Sequence, residues 1–102
     1  MFRKYRGMRM TYEKQGLIFF LCRNFGSLPP GVRRRIERVA EEVAGEEKAV
    51  LLALLTGRQS ARHLSMTRYI NLNRLYAWRR AFYERFFEQK EKNPGRAMRN
   101  DK

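Results

Sequence analysis

The sequence contains one cysteine, Cys22, one histidine, His63, and one aspartate, Asp101, in 102 residues. A single cysteine can close no intrachain disulfide, and with one histidine it supplies no ligand cluster for zinc. No metal and no cofactor is therefore expected. A chain without a disulfide framework suits a reducing compartment, and a cytoplasmic location is the expectation. Apolar runs are short as well. The two longest, residues 49–55 and 17–22, have seven and six members, whereas a membrane span takes about twenty. The basic start leads into Glu13 and Lys14 rather than into a long apolar stretch, so it does not read as a signal peptide, and no membrane partner is expected. Catalytic motifs are missing too: there is no glycine-rich phosphate loop, no HExxH and no nucleophile elbow. The glutamates fall on solvated helix faces without a matched acid–base partner. The expectation is a protein that binds and is not an enzyme.

What the chain does have is positive charge. Lys and Arg number 23 against 10 Asp and Glu, a net charge of +13. Seventeen of the 23 are Arg and six are Lys. The guanidinium fork grips phosphate through two parallel hydrogen bonds and stacks on bases, whereas an ammonium is a point charge. Pressure for solubility alone would favour Lys and Glu. The arginine bias points to a polyanionic partner, and nucleic acid is the foremost. Hydrophobic residues make up 43% and aromatic ones 13% of the chain, enough for one small core.

Helical periodicity organises that core. Residues 1–10 carry four cations and no anion, and read as a flexible basic arm. From Thr11, a suitable N-cap, Leu17, Ile18, Leu21, Cys22 and Phe25 recur at helix spacing, up to the stop at Gly26 and the Pro29–Pro30 pair. Phe19 and Phe20 widen the apolar face, so this helix either is central or meets a partner, another protein or a second copy in a homodimer, through its second face. Val32, Ile36, Val39 and Val43 form the next stripe, opened by Pro30 and closed at Ala44–Gly45. Glu46 and Glu47 suit the start of a short, almost wholly apolar helix that ends at Gly57. A short helix over 60–66 and a long one over 71–88 complete the pattern. Residues 89–102, with Pro94–Gly95 and few large apolar groups, read as a disordered basic tail. The expected architecture is all-α: one domain over 11–88, a bundle of four to five helices near 11–25, 31–44, 46–56, 60–66 and 71–88. Its stripe of Val32, Ile36, Val39 and Val43 should pack on Leu17, Leu21, Val50, Leu54 and Leu75.

Charge divides this pattern. Residues 58–87 hold seven arginines and one acid, Glu84, while five of the ten acids fall within 37–47. A helix-turn-helix needs a small residue inside its first helix and apolar residues at fixed offsets beyond it. Ser65 can be that small residue, with Leu64 before it, Ile70 ending the turn, and Leu75 and Trp78 seating the second helix. A register centred on Ala53 and Gly57 is poorer, because its later apolar positions fall on Arg58 and His63. In the Ser65 register the second helix presents Asn73, Arg74, Ala77, Arg80 and Arg79 outward. Asn pairs with adenine and Arg with guanine in the major groove, so the residue types fit that task. Residues 60–86, SARHLSMTRYINLNRLYAWRRAFYERF, resemble the DNA-binding half of sigma-region-4-like and phage late-transcription regulators. The run departs from that pattern at the turn, where Arg68–Tyr69 stand in place of an apolar residue and a glycine. The resemblance implies a DNA-binding transcriptional regulator.

The candidate contacts are Arg62, Arg68, Asn71, Asn73, Arg74, Arg79 and Arg80, with Arg33 and Arg34 placed to reach a phosphate. Arg35, beside the stripe residue Ile36, is expected to lay its stem along the apolar surface. His63 reads as a surface residue and Cys22 as a small buried hydrophobe. Trp78, Tyr76, Phe86 and Phe87 read as packing residues. Two alternatives stand beside DNA: an RNA-bound or ribonucleoprotein component, and a small inhibitor docking on a nucleic-acid-processing machine. An exposed apolar patch at Phe19–Phe20 would mark the latter.

Overall fold

Thr11 begins the first helix as its sequence position requires: its backbone is extended, and its side chain accepts the N–H of Lys14 at 3.2 Å. The computed structural model describes residues 10–92, with side chains as far as Phe87. Among them are five α-helices and no strand: α1 (Tyr12–Arg23), α2 (Pro30–Ala44), α3 (Lys48–Leu55), α4 (Ala61–Arg68) and α5 (Leu72–Lys92). The expected basic arm, apart from Met10, and the tail from residue 93 lie outside the described residues.

Each helix end is written in local chemistry. The Asn24 side chain donates to the Phe20 carbonyl at 2.8 Å and closes α1, and a single 3-10 turn, Phe25–Ser27, leads to the proline pair. Pro30 is the first residue of α2, where its missing N–H costs nothing. Several ends differ from expectation: α1 stops at Arg23 rather than at 25, and α4 runs on to Arg68 rather than 66. Gly45–Glu47 form a 3-10 turn, so α3 starts at Lys48. The last helix also runs four residues past Glu88, through Gln89, Lys90, Glu91 and Lys92, all good helix formers, and stops ahead of Asn93–Pro94.

The core gathers Ile18 and Cys22 from α1, Ile36, Val39 and Ala40 from α2, Val50, Leu51, Leu54 and Leu55 from α3, Leu64 from α4, and Leu75, Phe82, Tyr83 and Phe86 from α5. Arg35, in the first half of α2, meets Phe86 near the end of α5, and Val43 at its other end lies by Ala77 and Trp78, so the two helices run antiparallel. The α3 helix packs on α1, α2, α4 and α5 and is the most enclosed. The second half of α5 carries an aromatic cluster: Phe82 and Phe86 lie 5.9 Å apart, and Phe86 and Phe87 meet edge to face at 5.7 Å.

The expectation for α1 needs correction. Leu17 does not pack on the valine stripe but is 46% exposed. The buried face is Gln15, Ile18 and Cys22, spaced three and four apart, and Leu21 is only partly covered. A helix apolar on two sides can turn only one of them to the bundle. Here the chosen side takes Gln15 inward, with its amide donating to the Met10 carbonyl at 3.2 Å. Tyr76, expected among the packing residues, is 38% exposed.

Candidate nucleic-acid interface

Residues 58–80 contain six arginines and no acid, and they fold into the turn after α3, all of α4 and the first half of α5. Ser60 starts α4 by accepting the His63 N–H at 3.1 Å. Leu64 is fully buried and pins α4 to the core. Three residues, Tyr69, Ile70 and Asn71, then turn the chain into α5. Tyr69 takes the left-handed conformation, φ +57° and ψ +40°, as the residue that ends α4. It is the one non-glycine with positive φ among the described residues. Ile70 dips into the core, and the Ser65 hydroxyl donates to its carbonyl at 2.6 Å, tying α4 across the turn. Asn71 accepts the Asn73 N–H on its side-chain oxygen at 2.8 Å and caps α5.

This frame sets the outward residues. Arg62, Arg68, Asn73, Arg74, Ala77 and Arg80 are exposed, and Met66 and Tyr69 join them, with Tyr69 93% exposed. Arg74 is not loose: its guanidinium lies 5.0 Å from the centre of the Trp78 ring, one turn further on. Trp78 is partly buried and so links the exposed cation to the core. Leu75 and Phe82 are fully buried, as their spacing predicts.

Not every candidate joins this group. The Asn71 side chain is engaged in its own cap. Arg79 is half-buried and stacks 5.0 Å from the Tyr76 ring, lining a cavity with Arg23 rather than sharing a face with Arg74. Arg33 and Arg34 lie on α2, and Arg34 lines a groove with Glu37, Arg38, Glu41 and Lys48, where charges of both signs meet. Their neighbour Arg35 donates to the Phe86 carbonyl at 2.7 Å. Phe86 is twelve residues past Arg74, about 18 Å along the helix axis. Arg35 thus meets α5 more than three turns beyond Arg74. Arg35 itself is a packing residue, 4.5 Å above the Phe86 ring.

Two features escaped the sequence pattern. Arg23 enters the cavity with Arg79 through a contact no local periodicity records. The left-handed Tyr69 stands at the position where the helix-turn-helix pattern carries glycine, and that absence is the signal that marked it. Among the described residues no group of three His, Cys, Asp or Glu side chains could hold a metal ion, and no helix is long and apolar enough to cross a membrane. Cys22 is buried and its thiol is pushed up to about 12 by that burial, against a smaller opposing pull from Arg23. The sequence matches no family model, and comparison with curated proteins and with solved structures gives no significant match.

Proposed function

We propose that this chain is a small nucleic-acid-binding protein, a DNA-binding regulator of transcription that docks duplex DNA on α4, the Tyr69–Asn71 turn and the first half of α5. The observation that carries the reading is the acid-free stretch 58–80, folded as two helices joined by a three-residue turn with five of its six arginines exposed. In this reading Asn73, Arg74 and Arg80 face base edges or phosphates in the major groove, and Arg62 and Arg68 hold flanking phosphates. Ala77 keeps the middle of the helix face low enough for close approach. Trp78 beneath Arg74 limits the rotamers that guanidinium must give up on binding.

The test is a titration of the full chain with duplex DNA, structured RNA and a neutral polymer, each at two salt concentrations. Tightest binding to the duplex, weakening steeply with salt, is the expected result. Preference for structured RNA would move the reading to a ribonucleoprotein component.

A second reading rests on a different face. Phe20 is 61% exposed and Leu17 shares its side of α1, whereas Phe19 is half-buried beneath the Arg23 guanidinium at 4.4 Å. The exposed patch is therefore Leu17–Phe20 rather than Phe19–Phe20, and it favours a protein partner. A flat salt response with no nucleic acid bound would leave this reading alone.

A further inference from the structure

A cavity of about 360 Å³ lies where the ends of α1 and α3, the start of α4 and the middle of α5 converge. That is within the range of small-ligand sites, about 300–1,000 Å³. Its floor is apolar, from Leu54, Leu55 and Tyr83, and its mouth carries Arg23, Arg79, Gln59 and Ser60. None of the described lining residues is acidic. The adjoining hollow, lined by Cys22, Arg23, Phe25, Gly26, Thr56, Gly57 and Arg58, adds a third arginine and again no acid.

Both mouth arginines are held in place. The Arg23 guanidinium lies on the Phe19 ring and against Gly57, where an added Cβ would come within 2.7 Å of it. Gly57 has φ +78°, a backbone conformation that favours glycine. Arg79 lies on the Tyr76 ring. The carbonyls that end α3 do not require these cations: Thr56 donates to Leu52 through both its N–H and its hydroxyl, and the Gln59 N–H donates to Ala53. At the opposite wall α4 begins, with the N–H groups of Ala61 and Arg62 in the first-turn positions that lack partners within a helix.

From this arrangement we infer that the cavity is a phosphate-binding site, with the Arg23 and Arg79 guanidinium groups as its two cationic ligands and the α4 amino terminus as its third wall. The ligand is the phosphate of a nucleotide, and the volume leaves room for its sugar. Two forks brought from separate helices onto one anion match the bidentate geometry of phosphate recognition. The α4 dipole adds in the same sense. The nucleotide can belong to a strand lying on the face described above, or be free. The site itself does not depend on the major-groove reading.

Amide NMR of the full chain, titrated with inorganic phosphate, AMP and a short DNA duplex, tests the site. Phosphate and AMP are expected to shift Gly57, Ala61 and Arg62 saturably in the millimolar range. Arg23→Gln, which removes the guanidinium and its charge at an exposed position, should weaken that binding about tenfold, the loss of one charge-assisted contact. Arg79→Gln should do likewise, and Arg74→Ala should not. If the duplex produces the same shifts the source is a backbone phosphate; if phosphate and AMP do and the duplex does not, it is a free nucleotide. Shifts that never saturate, or that are the same in Arg23→Gln as in wild type, overturn the inference. Loss of duplex affinity in Arg74→Ala with these shifts unchanged would separate the two sites.

Discussion

Tyr69 is held left-handed with its ring in solvent, so no packing of its own offsets the backbone cost, which is about 1 kcal/mol for an L-residue. Tyr69→Gly should therefore raise stability by about 0.5–1 kcal/mol, read as a higher melting temperature. A lower one would mean that the ring supports the fold. Ile36 is the opposite case: it is fully buried between helices, and Ile36→Ala should cost about 2–4 kcal/mol in a denaturant titration. Cys22 ties stability to pH. Its thiol titrates near 9.0 when the chain is open and near 12 when folded, so the fold favours the neutral form. That contribution is complete below about pH 9 and is lost as pH rises toward 12. Native protein should accordingly resist alkylation at pH 8, and unfolded protein should react at once. Rapid labelling of the native thiol would contradict the burial.

At the scale of elements, two polar contacts between α2 and α5, added to their shared core, differ in strength. Arg35 donates to the Phe86 carbonyl and covers the Phe86 ring, in a partly buried setting. Arg85 meets Glu42 at 2.7 Å at the surface. Arg35→Ala should therefore cost about 1–2 kcal/mol in thermal melts, and Glu42→Gln less than about 1 kcal/mol. Equal losses would show that the two contacts had been ranked wrongly. The elements were legible because their ends are chemical: Thr11, Ser60, Pro30 and Gly57 each mark a start or stop by a local rule. The α2 stripe was legible because only one of its faces is apolar. Orientation of α1 was not, since Leu17 and Ile18 head two rival stripes and only the surrounding bundle chooses between them. The candidate face divided in the same way. Arg62, Arg74 and Arg80 follow from helical spacing, whereas the inward turn of Arg79 toward Arg23 depends on residues 56 positions apart.

For the whole molecule, the acids at 37–47 lie on α2 and the 3-10 turn after it, while the acid-free arginines occupy α4 and the first half of α5. Such a charge pattern steers a polyanion to one region. If about six phosphates are neutralised, log K should fall against log salt with a slope of about −5. The central claim, that the outward face of α5 reads nucleic acid, is tested most directly by the affinity of Arg74→Ala and Arg80→Ala for duplex DNA, each compared with its own melting curve. Both side chains are exposed, so stability should hold within about 0.5 kcal/mol. Specific binding should weaken by about 1–3 kcal/mol per lost contact. Leu75→Ala, in the core, should instead lower the melting temperature before binding can be scored. Arg74→Ala and Arg80→Ala proteins that melt and bind every nucleic acid as the wild type does would contradict the account.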